Sequence, residues 1–330
     1  MQRKCAFSAT YRLSVLLLLM SVMTSLARHG DGSEPVFPRF MREATRIIAS
    51  SNREYYLVEQ RKVVGIWRFG AAEMLASFAI KEGDFCATVT NDGLCLLVES
   101  DTHRLVGWNP FRRQTVLDIK LEEKGYSMSA VGDIVSVGTW DGSVIVLSLS
   151  QRRKLWTAKH DIGHVAVSVS PDQEIVASGG ADGSVRLWQA KNGSLVRALE
   201  VHKSPIQDIE FNSSGRFILT AGRFDELAHV VDVGKNRVVR KYPCQGLARC
   251  VDFSPNEKLV CVGTGKLSKR APRKNAGVVQ VWAFDSGNVV YKEALHKTLV
   301  TSVAFTKDGR MLLTTGSNWL KAIRFGRELE

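Results

Sequence analysis

The stretch Val165-Ala-Val-Ser-Val-Ser170-Pro-Asp172-Gln-Glu-Ile-Val-Ala-Ser178-Gly-Gly-Ala-Asp182-Gly183-Ser-Val-Arg-Leu-Trp188 decides how this chain folds. Its apolar residues alternate with small or polar ones, which is the period of a β-strand with one or both faces covered. Ser170-Pro171-Asp172 and Asp182-Gly183 interrupt the alternation with turn residues, because Gly adopts positive φ without a steric penalty. Asn192-Gly193 supplies a further turn before Leu195. The spacing predicts strands over Val165–Val169, Glu174–Ser178, Val185–Trp188 and Leu195–Leu199, an antiparallel four-stranded unit.

The unit recurs. His164 to Asp172 aligns with Ile206 to Ser214, with Ala248 to Asn256 and with Val300 to Asp308. Asp172 and Ser214 are 42 residues apart, as are Ser214 and Asn256, and Asn256 and Asp308 are 52 apart. The longer step is one repeat plus an insertion. His160, His202 and His296 keep the same register, with Cys244 at the place between. One such sheet buries little by itself, so sheets repeated at this period stack radially and share a core.

The quoted residues resemble a WD40 repeat at nearly every family position. The resemblance covers roughly 45–327, strongly in one repeat and more weakly in the others. It implies a hydrogen-bond chain through His160, Ser178, Asp182 and Trp188, a structural network rather than a catalytic one. The second copy keeps His202, Thr220 and Asp225, and the third keeps Trp282. The last copy keeps His296 and Thr314, with Asn318 and Arg324 at the remaining places. Earlier copies around Asp92 and Asp141 keep the turn aspartate and little else. The expected fold is therefore all-β, a seven-bladed WD40-like propeller with four-stranded antiparallel blades. The blades are expected over 35–70, 73–114, 116–158, 160–200, 202–243, 245–295 and 297–327. The last lacks a fourth strand, which residues 35–41 could supply, closing the ring between N- and C-terminal strands. Six blades is the alternative, should 35–70 form no sheet.

Composition agrees with a globular chain: of 330 residues 45% are hydrophobic and 24% charged, with Gly 27 against Pro 8. The net charge of +12 is uneven. Arg3, Lys4 and Arg12 precede or begin the apolar run Leu13–Met23, and Ser25-Leu26-Ala27 follows it. That pattern predicts a signal peptide or membrane anchor over 1–27, a linker over 28–34 and the propeller over 35–330. The expected location is secreted or extracytoplasmic, with membrane anchoring through an uncleaved N-terminus as the alternative. Cys250 and Cys261 fall on neighbouring strands and could pair, although buried free thiols fit better, because Cys packs well as a small hydrophobe.

Another part of the charge lies in the insertion, where Lys266, Lys269, Arg270, Arg273 and Lys274 stand without an acid. In the family this loop joins strands b and c at the top face. It reads either as an arm for an acidic partner or as a solvated polar loop. No aromatic residues interleave with it, which argues against specific nucleic-acid recognition. Trp140 and Phe224 stand one residue before a turn aspartate, and Arg223 and Trp319 occupy equivalent loops. These are the candidate partner-binding residues, with Trp140 alternatively packed on its neighbouring blade. No GxSxG, HExxH or Walker pattern occurs, and no metal-ligand spacing. The expected function is a non-catalytic protein-interaction platform without cofactor or metal. The alternatives are a membrane-tethered cytosolic adaptor and an enzyme using the central channel. The oligomeric state is left open.

Overall fold

A computed structural model describes residues 44–60, 63–69, 74–80, 85–99, 101–265, 277–317 and 319–325. The N-terminal segment over 1–27, the linker, Cys5 and the proposed closing strand over 35–41 lie outside the described residues.

Among the described residues twenty-seven strands form seven antiparallel sheets, each built from consecutive strands. The first blade holds β1 (Arg46–Ala49), β2 (Tyr55–Gln60), β3 (Val63–Arg68) and β4 (Met74–Ala79). The second holds β5 (Phe85–Val89), β6 (Cys95–Glu99), β7 (Arg104–Asn109) and β8 (Gln114–Lys120). The third runs from β9 (Gly125–Val131) through β10 (Ile134–Thr139) and β11 (Ser143–Ser148) to β12 (Arg153–Lys159). The fourth comprises β13 (Val165–Val169), β14 (Ile175–Gly180), β15 (Ser184–Gln189) and β16 (Leu195–Glu200). The fifth comprises β17 (Ile206–Phe211), β18 (Phe217–Gly222), β19 (Leu227–Asp232) and β20 (Arg237–Pro243). The sixth comprises β21 (Leu247–Phe253), β22 (Leu259–Gly265), β23 (Gly277–Ala283) and β24 (Val289–His296). The seventh has three strands among the described residues, β25 (Ser302–Phe305), β26 (Met311–Gly316) and β27 (Trp319–Arg324). The first strand of each blade lines the channel.

The expected count of seven holds, but the first three boundaries do not. Those blades cover 46–79, 85–120 and 125–159 rather than 35–70, 73–114 and 116–158. The cause is the turn at Asn91-Asp92-Gly93. It joins β5 to β6, the first hairpin of its blade, instead of the second. Thr90 Oγ1 donates to Asp92, the same short-range contact that Ser170 makes with Asp172 and Thr306 with Asp308. An Asp-Gly turn serves either hairpin equally well, so the local signal could not assign it.

Hydrophobic contact is organised between blades rather than within them. Seven buried clusters each draw residues from two neighbours. Val144, Val146 and Trp156 of the third blade meet Val165, Val176 and Trp188 of the fourth, for example. The seam is closed in the same way, with Ile47, Tyr56, Val58 and Trp67 of the first blade against Ala304, Leu313 and Leu320 of the seventh. Every blade thus covers two apolar faces, which explains why its strands read as nearly continuous apolar runs.

The innermost strand of a blade leaves one edge of amides unpaired, and buried amides need acceptors. Side chains from the preceding blade supply them. Ser127 and Ser129 Oγ accept from Val167 and Val169 N at 3.2 and 3.1 Å, and Ser168 Oγ accepts from Phe211 N at 3.2 Å. Asp208 accepts from Val251 N at 2.9 Å, and Asp252 accepts from Phe305 N at 2.7 Å. Ser302 Oγ accepts from Ile47 N at 2.8 Å, carrying the series across the seam.

Candidate functional site

His160 precedes β13 and is buried. Its Nε2 lies 2.8 Å from Ser178 Oγ, to which Trp188 Nε1 also donates at 2.8 Å. Its Nδ1 lies 3.3 Å from Asp182 Oδ2, and Arg186 reaches the same carboxylate at 3.2 Å. Burial holds the imidazole below its ordinary pKa, opposed by Asp182. In the next blade His202 lies 2.8 Å from both Thr220 Oγ1 and Asp225 Oδ2. His296 lies 3.0 Å from Thr314 Oγ1 and 3.0 Å from the Gly316 carbonyl, with burial lowering its pKa to about 4. In the sixth blade, where Cys244 stands at the histidine place, Gln280 Oε1 accepts from Gln245 N at 2.6 Å and ties the entering loop to β23 instead. Each chain ties the loop entering a blade to that blade's second hairpin, which makes it a fastening.

The second-hairpin turns define the upper face. Trp140, Phe224 and Trp319 stand there with 48%, 57% and 54% of their surface exposed. Trp140 packs edge-on against Tyr126 at 4.9 Å and near His164 of the next blade at 5.9 Å, with Lys124 Nζ 5.7 Å above its ring. It is therefore half packed and half presented. Arg223 lies over Phe224 at 5.0 Å. Trp140 and Arg223 line the channel, whereas Phe224 and Trp319 stand outside it. The basic stretch bearing Lys266, Lys269, Arg270, Arg273 and Lys274 lies outside the described residues, as does Asn318.

Three upper-face residues were not legible as site residues. Ile162, 60% exposed, sits in the loop before β13. His164 is half-buried and packs against Tyr126, the two rings tilted with centroids 4.4 Å apart. Arg249 lies on the channel wall beside Tyr126. The repeat alignment pairs Arg249 with Gln207, and that pairing was the available signal.

The channel encloses a cavity of about 630 Å³. Asp208, Glu210 and Asp252 cluster there, whereas Glu59 lines the same channel beside Arg46. Asp208 and Asp252 are engaged in the inter-blade amide bonds. Asp252 also takes Arg53, whose two terminal nitrogens lie 2.8 and 2.5 Å from its oxygens. The same guanidinium donates to the carbonyls of Phe305 at 3.0 Å and Phe253 at 2.8 Å. Arg53 thus belongs to the first blade, passes the seventh and grips the sixth. Burial, reinforced by the neighbouring acids, pushes Glu210 up to about 8; burial also raises Asp208 to about 7. Cys86, Cys95, Cys244, Cys250 and Cys261 are free and buried, so Cys250 and Cys261 form no disulfide.

Comparison with known proteins gives two family matches. The model described as WD domain, G-beta repeat matches residues 287–321, and the Vps8 beta-propeller model matches residues 124–231. A Schizosaccharomyces pombe protein named Periodic tryptophan protein 2 homolog is 26% identical over 178 residues, covering 50% of this chain and 21% of that protein. THO complex subunit 3 of Arabidopsis thaliana is 27% identical over 199 residues, 56% of this chain and 62% of the relative. Pre-mRNA-processing factor 19 of Bos taurus is 25% identical over 175 residues, 52% of this chain and 32% of the relative. The chain thus matches less than two thirds of each relative's length. A chain from a crystal structure of the mitotic checkpoint complex superposes with a TM-score of 0.72 at 16% identity, covering 86% of this chain and 90% of that one. That similarity concerns the fold.

These relatives correct one expectation. Pre-mRNA processing is intracellular work, and the secreted or extracytoplasmic location read from residues 1–27 is overturned by it. A short apolar run with basic flanks is a local pattern of composition and does not by itself set the compartment of a chain. The blade architecture and the two family matches together support a WD40-type β-propeller.

Proposed function

We propose that this chain is a non-catalytic protein-interaction platform that takes its partner through the upper face. One observation carries the reading: aromatic and cationic side chains are presented around the upper mouth, while two of the channel's carboxylates are tied to backbone amides and to Arg53. Exposed aromatics beside arginine are the usual anchors of a protein interface. The relatives' names, a THO complex subunit and a processing factor, fit proteins that work in assemblies. Lys266, Lys269, Arg270, Arg273 and Lys274, which follow Gly265 in the sequence, would supply charge suited to an acidic partner.

The test is affinity capture from a cell extract with the wild-type chain and with Trp140→Ala/Phe224→Ala. The variant is expected to melt as the wild type does and to lose the partner. A melt lowered by many degrees would show those side chains to be core instead. A second reading, an enzyme using the channel, rests on Glu210, whose raised pKa suits a proton donor. Its neighbours Asp208 and Asp252 are occupied in holding blades together, which leaves it no free partner carboxylate in that cluster.

A further inference from the structure

Three innermost strands are bulged at their upper ends. In the third blade Ser127 and Gly125 pair with Gly138 and Thr139, and Tyr126 is left over. In the fifth, Ile206 and Asp208 pair with Gly222 and Ala221, leaving Gln207. In the sixth, Ala248 and Cys250 pair with Thr264 and Gly263, leaving Arg249. A bulge frees one residue from the ladder and re-aims its side chain. Here all three line the channel, together with Arg223, His164 and Trp140.

The same place collects unsatisfied polar atoms. Buried side-chain atoms without a hydrogen-bond partner among the described residues include Arg223 Nε, Arg249 Nε, His164 Nε2 and Gln207 Oε1. Buried polar atoms normally find partners, and four orphans at one mouth ask for a ligand. Gln207 is held by its amide nitrogen, which donates to the Tyr126 hydroxyl, while that hydroxyl donates to the Gln207 carbonyl at 3.3 Å. Its free Oε1 is thereby fixed as an acceptor. The two arginine Nε–H groups are donors with positive charge.

We infer that this mouth binds a partner peptide through one aspartate or glutamate side chain, its carboxylate taken by Arg223 and Arg249 and a neighbouring peptide N–H taken by Gln207 Oε1. The inference rests on the platform reading and names the chemistry of its partner. Guanidinium and carboxylate match in shape as well as charge, and such pairs are strongest where water is excluded. Trp140 and Tyr126 form an apolar wall for the adjoining side chain.

The experiment is selection from a phage-displayed random peptide library on the purified chain, followed by titration of the synthetic consensus peptide. The expected result is a consensus with an acid at one fixed position. Changing that acid to its amide should weaken binding tenfold or more. Arg223→Gln/Arg249→Gln should weaken the acidic peptide equally and bind acid and amide forms alike, with an unchanged melt. The inference is overturned by an absence of enrichment, by a consensus without a fixed acid, or by an acid preference that survives in the arginine variant. Preference for a phosphoserine peptide over the glutamate peptide would also overturn it. If Trp140→Ala/Phe224→Ala loses the peptide but no acid is required, the platform reading stands and this inference alone falls. If none of the four substitutions matters, both fall.

Discussion

The two ends of the channel use polar side chains in opposite ways. At the lower end they are consumed. Arg53 satisfies both oxygens of Asp252 and two carbonyls, and Ser50 Oγ donates to Asn52 as Ser170 Oγ does to Asp172. At the upper mouth four buried polar atoms stand without partners among the described residues, beside rings that are only half covered. A satisfied end holds the ring together, and an unsatisfied end has capacity left for something else. The contrast separates residues whose loss should unfold the protein from residues whose loss should only disarm it.

The largest effect belongs at the lower end. Arg53→Met leaves Asp252 as a buried charge without its cation and should cost about 3–5 kcal/mol in urea unfolding. A loss below about 1 kcal/mol would show that the seam is held without it, and would erase the contrast from below. Ser178→Ala comes next. It strands His160 Nε2 and Trp188 Nε1 in the fourth blade and should cost about 1–3 kcal/mol.

Acidity sharpens the comparison further. Burial lowers His229 and His296 to about 4, below the ordinary value near 6.5. Their contribution is present above pH about 6.5 and is lost as the pH falls toward 4, because the unfolded chain then binds the extra protons. The urea midpoint should decline across that window. Glu210 has the opposite sign: its raised pKa makes folding costlier as the pH climbs from about 4.5 toward 8. Glu210→Gln should therefore raise the midpoint at pH 8 and leave it unchanged near pH 4. An equal gain at both values would refute the charge-based cause.

The smallest effect on stability belongs to the upper mouth. Arg223→Gln/Arg249→Gln should stay within about 0.5 kcal/mol of the wild type, because neither Nε has a hydrogen bond among the described residues to lose. A drop comparable to that of Arg53→Met would break the contrast from above.

Much of the architecture was legible because repeat signals are local. The 42-residue spacing, the Asp-Gly turns and the residues of the His160–Ser178–Asp182–Trp188 chain are properties of short segments. Asp92 shows the limit, since its turn chemistry suits either hairpin of a blade and only strand pairing distinguishes them. The exposure of Trp140 and Phe224 was readable from their position beside the turn aspartates Asp141 and Asp225. Tyr126, Gln207 and Arg249 were not, because a bulge is a mismatch between two strands and neither strand contains it alone.

By itself, then, the amino-acid sequence determined the period, the strand alternation, the turns and hence a seven-bladed ring, since each depends on residues near one another in the chain. Only the tertiary structure decided which residues meet across blades. Arg53 and Asp252 are far apart in sequence, as are Arg223 and Tyr126, and ring closure is what brings them to opposite ends of one channel. Contacts of that kind, between blades that are not neighbours, carry no sequence period, unlike the amide bonds between adjacent blades, because the geometry that creates them belongs to the closed ring and to no single repeat.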